Sequence, residues 1–222
     1  MKLTLKLTLE SDATFGRGDG VSGLVDLEVE HDAATGLPFV RGRTLKGLLV
    51  EECANILHAL EMAKASGHGR FQEAAQRLFG IAGSSLTTGG AIHVGAAQLH
   101  EELCSAITAD VEAGRLRPAE VLEMFTDIRR QTAVNEKTGV PEDKSLRSSR
   151  VLLRGTELFA QIDVALPEED REALALLGAC VAGLRRGGVG RNRGRGRLKA
   201  SLEGQPAFTS LDDFEAIARG MS

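Results

Sequence analysis

Hydrophobic and polar residues alternate strictly at the start of the chain, where the segment KLTLKLTL at residues 2–9 has leucine at every second position. Because successive side chains of a strand point to opposite faces, this pattern predicts a half-buried β-strand. Residues 44–67 have a different period, with apolar residues three and four positions apart. That spacing predicts an amphipathic helix, with Thr44 as its N-cap and Gly67 as its stop.

The rest of the chain continues as alternating strands and helices. Residues 23–32 are predicted to form a short strand or an extended loop, and residues 131–155, with a polar tip, a projecting hairpin. The other predicted helices are 71–79, 118–130, 167–184 (amphipathic) and 211–218, and the other predicted strands are 91–99, 157–166 and 196–203. Two strand–helix halves of this kind favour an α+β, ferredoxin-like fold with helices on one face of an antiparallel sheet. We expect one domain over residues 1–222.

Positive charge is concentrated in one segment of an acidic chain. The formal net charge is −4, from 27 basic and 31 acidic residues, yet seven of the basic residues lie within RRGGVGRNRGRGRLK at 185–199. The same 15 residues contain five glycines and no acid. Outside that segment acids outnumber bases by 11, so the pattern predicts a local site for a polyanion rather than a generally basic surface.

This glycine/arginine segment, residues 185–197, has three interpretations. It could be a disordered RGG-like tail, a solvated basic loop without a role, or an ordered loop that binds phosphates. The ordered loop is favoured because a predicted helix precedes the segment and a predicted strand follows it. Glycines would then let backbone N–H groups approach phosphates, and arginines would contact them in pairs of hydrogen bonds. A nucleotide P-loop is excluded, because the pattern GxxxxGK[ST] is absent.

A second basic motif, RGRTLKG at residues 41–47, lies at the start of the predicted long helix. Free N–H groups and the helix dipole favour an anion there. Lys46 is electrostatically unfavourable in a first turn, which indicates that it faces a phosphate. The alternative is an exposed lysine without a role.

The segment VDLEVEHD at residues 25–32 carries four carboxylates and a histidine. Strand alternation would place Asp26, Glu28 and Glu30 on one face, where they could ligate a metal or act as acid and base together with His31 or Asp32. By spacing alone, a solvated acidic strand face is the favoured interpretation. The other four histidines have no ligand spacing and are interpreted as structural: His58, His68, His93 and His100.

Composition excludes several other classes. The chain has no Trp or Tyr and eight Phe, so stacking of bases on aromatic side chains is disfavoured, and a bound polyanion would be held by its backbone. Cys53, Cys104 and Cys180 share no CxxC spacing, which is typical of free thiols in a reducing compartment. The N-terminus lacks an apolar signal-peptide core, and no apolar run reaches the roughly 18 residues that span a bilayer. We therefore expect a cytoplasmic protein.

Three segments, in this order, resemble the RAMP superfamily of CRISPR-associated proteins. GRGDGVSGLVDLEVEHDAATGLPFVRGRTLKGLL resembles the family's glycine-rich turn, aspartate loop and TGLPFIPGSSLKG turn. QTAVNEKTGVPEDKSLRSSRVLLRGTEL resembles its thumb hairpin, and GGVGRNRGRGRLKASL its glycine-rich loop. The closest likeness is to the backbone subunit that polymerises along guide RNA in type III effector complexes. The chain departs from the pattern at Arg41, where the family has Pro, and at Arg43-Thr44, where it has a Ser pair.

The resemblance implies a modified RNA-recognition fold with guide RNA across the palm and a thumb that flips one target nucleotide per subunit. Target RNA would be cut beside that nucleotide in a reaction dependent on Mg²⁺ or Mn²⁺. The family's catalytic aspartate corresponds to Asp26, which is also the implied metal ligand. The implied guide-binding residues are Arg41, Arg43, Lys46, Gly188, Gly190, Arg191, Arg193, Gly194 and Arg195.

The implied partners are guide RNA, target RNA, other effector subunits and further copies of the chain, without a membrane. Two alternatives stay open beside an RNA-guided endoribonuclease. One is a catalytically silent guide-binding scaffold of the same complex. The other is a nuclease that processes precursor guide RNA by histidine acid–base catalysis, which is disfavoured because His31 has no evident histidine partner.

Overall fold

The computed structural model describes residues 1–18, 20, 25–81, 89–132, 139–140, 145–204 and 206–220 of the chain. It is a mixed α+β structure with antiparallel sheets. In chain order its elements are β1 (Lys2–Leu9), α1 (Gly42–Met62), α2 (His68–Phe79), β2 (Ile92–Val94), α3 (Glu101–Glu112), α4 (Pro118–Phe125), β3 (Thr126–Gln131), β4 (Arg147–Leu152), β5 (Glu157–Val164), α5 (Arg171–Gly183), β6 (Leu198–Leu202) and α6 (Leu211–Ala218).

The main sheet has four strands in the order β2-β5-β1-β6, and every neighbouring pair is antiparallel. In β1 the four leucines are buried and the residues between them face outward, which confirms the predicted alternation. The buried face packs into one core with α1, α2 and α5. Helices α1 and α5 connect β1 to β2 and β5 to β6, so they cover the same side of the sheet.

Helix α5 is more deeply buried than its sequence pattern predicts. All nine residues from Ala173 to Val181 are buried, so the helix is not amphipathic along this stretch. The reason is that α1, α2, α6 and β6 all pack around it. It begins at Arg171, four residues later than predicted, because the Asp170 carboxylate caps the helix by accepting a hydrogen bond from the Ala173 N–H (3.2 Å).

Three sequence predictions need correction. Helix α1 begins at Gly42, with Arg41 rather than Thr44 as its N-cap, and it ends before Ala63. Gly67 instead precedes α2. The predicted helix 118–130 ends at Phe125, because the following residues pair with β4 as strand β3. Helix α3 was not predicted.

Strands β3 and β4 form a separate two-stranded antiparallel sheet, from the pair Thr126–Leu152 to the pair Gln131–Arg147. The predicted hairpin therefore starts five residues earlier than its pattern indicates. Residues 133–138 and 141–144 of its predicted tip lie outside the described part of the chain. Backbone bridges from Ala13 to Leu152 and from Leu27 to Ser149 join this hairpin to the N-terminal segment.

The predicted acidic strand face is wrong for two of its three carboxylates. Glu28 and Glu30 are 1% and 7% exposed and form ion pairs. Glu28 contacts Arg150 of β4 (Oε1 to Nε, 2.8 Å), and Glu30 contacts Arg41 (Oε1 to an Nη, 2.5 Å). A buried carboxylate requires such a partner, because its desolvation is otherwise too costly. Both residues therefore anchor the segment, and of the three carboxylates only Asp26 remains exposed.

Among the described residues, no helix is long and apolar enough to cross a membrane.

Candidate nucleic-acid interface

The glycine/arginine segment is an ordered loop between α5 and β6. Its two arms are joined by hydrogen bonds from the Gly187 N–H to the Gly196 carbonyl (2.9 Å) and from the Leu198 N–H to the Arg185 carbonyl (3.0 Å). It is also tied to the N-terminal segment, where the Val189 N–H donates to the Thr14 carbonyl (2.8 Å). These bonds confirm the ordered loop and contradict the disordered tail.

Two glycines are required by the path of this loop. Gly188 and Gly196 have φ of 83° and 68°, in the left-handed region that side chains disfavour. A Cβ at Gly196 would lie 2.0 Å from the Gly187 carbonyl oxygen, and one at Gly188 would lie 2.6 Å from that of Thr14. The close backbone approach therefore leaves no space for a side chain at either position.

A cleft of about 740 Å³ separates the tip of this loop from the β3–β4 hairpin. We call it the tip cleft. Its lining brings together Asp26 with five of the predicted RNA-binding residues, although they are more than 160 positions apart in the sequence. The lining residues are Thr14, Asp26, Leu27, Gln131, Arg147, Ser149, Gly188, Val189, Gly190, Arg191, Asn192, Arg193 and Arg195. The predicted Gly194 belongs to the same loop and has φ of 81°, but it does not line the cleft.

Strands β3 and β4 add residues that the sequence analysis missed. Gln131, Arg147 and Ser149 line the tip cleft at the outer end of the hairpin. The motif LRSSR at 146–150 was the available signal, because it follows the polar tip with cations and hydroxyls. Its separation from Asp26 by about 120 residues hid the connection.

Asp26 is exposed on the tip cleft and held in place by Ser148 of β4. Its Oδ2 accepts hydrogen bonds from the backbone N–H (2.6 Å) and the side-chain Oγ (3.1 Å) of Ser148, and its own N–H donates to the Ser148 carbonyl (2.9 Å). The two donated bonds, with the nearby charge of Arg147, hold the pKa of Asp26 below the usual value of 3.8. Asp26 is therefore ionised at neutral pH and a weak proton acceptor.

The arginines of the loop tip differ in their surroundings. Arg193 is exposed and Arg195 half-buried, and neither forms an ion pair with any described residue. Arg191 donates two hydrogen bonds to the carboxylate of Glu51 on α1 (2.8 and 2.7 Å), which lower the pKa of Glu51. Arg193 and Arg195 are thus available for an anion, whereas Arg191 ties the loop to α1.

The family model of the RAMP superfamily matches residues 6–199. The chain belongs to the RAMP superfamily. Its fold is similar to that of a chain in the cryo-EM structure of type III-B Cmr-beta in the apo state, with a TM-score of 0.64, 11% identity, and coverage of 92% of this chain and 98% of that one. A chain of type III-B Cmr-beta bound to cognate target RNA gives the same TM-score and identity, with coverage of 91% and 97%. No curated protein matches the chain.

The second basic motif of this RAMP protein does not line the tip cleft. Arg41 pairs with buried Glu30, and the Lys46 ammonium donates to the Ile92 carbonyl (3.2 Å). The predicted contact of Lys46 with a phosphate therefore competes with a bond inside the fold. Arg43 is exposed and forms no ion pair with a described residue. The structure accordingly separates these three residues from the loop tip.

The resemblance implies a divalent metal ion, and this RAMP chain has few side chains that could bind one. Among the described residues, no group of three or more His, Cys, Asp or Glu side chains could hold a metal ion. The tip cleft offers the single carboxylate of Asp26. This donor set fits Mg²⁺ or Mn²⁺ only if RNA phosphates and water supply the other ligands, a common arrangement for Mg²⁺.

Proposed function

We propose that this RAMP protein is a subunit of a type III CRISPR ribonucleoprotein that holds guide RNA and cuts complementary target RNA at regular intervals. The observation that supports it best is the shared cleft of Asp26, Arg193 and Arg195. One wall of that cleft presents an ionised carboxylate, and the other presents cations and glycines suited to a phosphate backbone. Guide RNA, target RNA, other effector subunits and further copies of the chain are the proposed partners.

The fold supports a modified RNA-recognition, ferredoxin-like palm. The sheet strands and their two connecting helices follow the order β-α-β-β-α-β, and the sheet order β2-β5-β1-β6 places the first and third of these strands at the centre. The β3–β4 hairpin is the proposed thumb. The similar Cmr-beta chains, one of them from a complex with target RNA, favour the same assignment.

Cutting would follow from geometry at one flipped target nucleotide. With its base removed from the stack, its 2′-hydroxyl can align with the adjacent phosphorus and the leaving 5′-oxygen. Attack would form the new 2′-oxygen–phosphorus bond and break the bond to the 5′-oxygen, which gives a 2′,3′-cyclic phosphate and a 5′-hydroxyl. Solvent water takes the proton from the 2′-hydroxyl, and a proton from water goes to the leaving 5′-oxygen, so the reaction consumes and releases no net proton.

Each side chain of the cleft has a part in this scheme. The Asp26 carboxylate orients the 2′-hydroxyl and accepts its hydrogen bond. Arg147, Arg193 and Arg195 stabilise the negative charge that builds up on the phosphate oxygens. A divalent ion bound by Asp26 and RNA phosphates would supply further positive charge at the same oxygens.

A silent scaffold is the second candidate, because Asp26 is the only carboxylate among the residues that line the tip cleft and no histidine accompanies it. The same absence of histidine from the cleft lining disfavours the nuclease that processes precursor guide RNA. The two remaining candidates share guide binding and differ only in cutting.

The proposal is tested by reconstituting the effector complex with guide RNA and Mg²⁺ and separating the target products on a denaturing gel. We expect evenly spaced products that end in 2′,3′-cyclic phosphates. A 2′-deoxy substitution at one cutting position should remove that product and leave the others, because only that nucleophile is lost. Irregular products, or cutting at the deoxy position, would contradict the mechanism.

Ser148→Ala should weaken cutting without abolishing it. The substitution removes the Oγ bond to Asp26 but keeps the backbone N–H, so we expect a roughly 3- to 10-fold slower rate, the value of one hydrogen bond. Because Ser148 depresses the pKa of Asp26, its loss raises that pKa and moves the acidic fall of the rate to higher pH. A pH–rate profile measures both effects, and Ser201→Ala, at an exposed serine of β6 outside the tip cleft, is the matched control. An unshifted acidic limb would contradict the role of Ser148.

A further inference from the structure

The base of the glycine/arginine loop forms a second cleft, of about 500 Å³, which we call the stem cleft. It lies between the two arms of the loop, the end of α5 and the start of β6. Its lining residues are Glu10, Ala182, Leu184, Arg185, Arg186, Arg197, Leu198, Lys199 and Ala200. It shares no lining residue with the tip cleft, so the basic segment divides into two separate surfaces.

Four cations surround the stem cleft: Arg185, Arg186, Arg197 and Lys199, all of them exposed. Arg186 and Arg197 are directly opposite each other in an antiparallel bridge, where like charges are destabilising. The single acid in the lining is Glu10, whose carboxylate is 3.5 Å from Arg197. Arg185, Arg186 and Lys199 have no ion pair with a described residue. Although the chain has a net charge of −4, three of these four positive charges are therefore not neutralised by any described part of the fold.

The chemistry of the lining selects the kind of ligand. Guanidinium groups match phosphate oxygens in paired hydrogen bonds, and the cleft contains no aromatic side chain on which a base could stack. Leu184 and Leu198 are buried, so the accessible part of the surface is largely the cations. This combination is suited to a phosphate backbone without preference for base sequence.

We propose that the stem cleft binds a second stretch of single-stranded RNA backbone, adjoining the stretch at the tip cleft. The inference rests on the proposed function, because RNA is the polyanion that this function supplies. Since one loop forms both clefts, a single strand that follows the loop can occupy both. The cation pair Arg186–Arg197 gains most, because a phosphate between the two guanidinium groups replaces repulsion by attraction.

The test is the salt dependence of RNA binding by the purified full-length chain. The probe is a 30-nucleotide fluorescein-labelled oligouridylate, and its anisotropy is measured over a series of salt concentrations. The variant is Arg185→Gln with Arg186→Gln and Lys199→Gln. Three lost phosphate contacts should reduce the slope of log K against log salt by about 2, at about 0.7 for each contact with a single strand. At about 0.15 M salt the same loss should weaken binding roughly tenfold or more.

A charge-matched control carries Lys64→Gln, Arg115→Gln and Arg219→Gln, three exposed cations outside both clefts. It has the same net charge as the stem variant and should keep the wild-type slope. A third variant, Arg185→Lys with Arg186→Lys and Lys199→Arg, keeps every cation and should also keep the slope, which attributes the loss to charge. A thermal unfolding midpoint of the glutamine variant equal to that of the wild type excludes a folding defect as the cause.

Equal slopes for the stem variant and the charge-matched control would overturn the proposal. A stem variant that keeps the RNA slope but prevents assembly of the effector complex would overturn it too, because the surface would then bind a protein. The measurement involves no cutting. Failure of the proposed nuclease activity therefore leaves the RNA-binding result intact, and the reverse also holds.

Discussion

Replacing Asp26 with alanine is expected to abolish cutting of target RNA while the assembled complex still binds its target. Asp26 is the only carboxylate that lines the tip cleft, and no histidine lines it to take over. Misplacement of a reacting group typically slows a reaction by about 10²-fold, so loss of the carboxylate that orients the 2′-hydroxyl should lower product formation by about 100-fold or more. Single-turnover rates on a denaturing gel measure cutting, and a filter-binding assay with labelled target measures binding.

Two further variants test whether the loss of cutting is due to the negative charge at position 26. Asp26→Asn keeps an oxygen that can accept the hydrogen bonds from Ser148, so it should preserve the local geometry and still lose cutting. Asp32→Asn changes an exposed aspartate of the same segment that lies outside the tip cleft, and it should cut normally. Cutting that persists unchanged in Asp26→Ala would rule out the nuclease at this residue and leave the scaffold.

Replacing Arg191, Arg193 and Arg195 together with glutamine is expected to release guide RNA from the complex. Up to three phosphate contacts disappear, which should lower the slope of log K against log salt by about 2. Guide retained after washing at increasing salt, followed by extraction and gel analysis, measures the loss. Unaltered retention would mean that the loop tip is solvated and has no role in binding.

The three arginines should contribute unequally to guide retention, because their contacts in the structure differ. Arg193 and Arg195 have no ion pair with a described residue, so Arg193→Gln with Arg195→Gln should account for most of the loss. Arg191→Gln alone should have a smaller effect on the salt slope, because Glu51 already accepts hydrogen bonds from both terminal nitrogens of that guanidinium. Glu51→Gln is the matched variant: it releases Arg191, and it should strengthen rather than weaken guide retention.

Local periodicity was sufficient to predict β1, most of α1 and the loop between α5 and β6. These elements depend on residues close together in the sequence, so the pattern contains the information. The division of residues 118–130 between α4 and β3 depends on pairing with β4, which lies 21 residues further on, and tertiary pairing overrode the helical period there.

The electrostatics of the site depend even more on distant contacts. Glu28 appeared as a solvated acid, because its partner Arg150 lies 122 positions away. The same separation hid the bonds between Asp26 and Ser148, which set the pKa of the carboxylate. The resemblance to the RAMP superfamily indicated Asp26, but it placed Gln131, Arg147 and Ser148 only within the thumb hairpin and gave them no role beside Asp26. The predicted residues of the helix start, in contrast, lie away from the tip cleft because Arg41 and Lys46 bind groups of the fold itself.

The close contact between Gly196 and Gly187 has a consequence for how genetic screens of this protein should be interpreted. Because the carbonyl oxygen of Gly187 fills the position of a side chain, Gly196→Ala would distort the turn during folding, before any nucleic acid arrives. The phenotype would be loss of RNA binding, as for a residue that contacts RNA, although position 196 has no side chain to bind with. The shape of the loop is therefore fixed when the chain folds. Binding of an RNA strand does not include the entropy cost of ordering the loop.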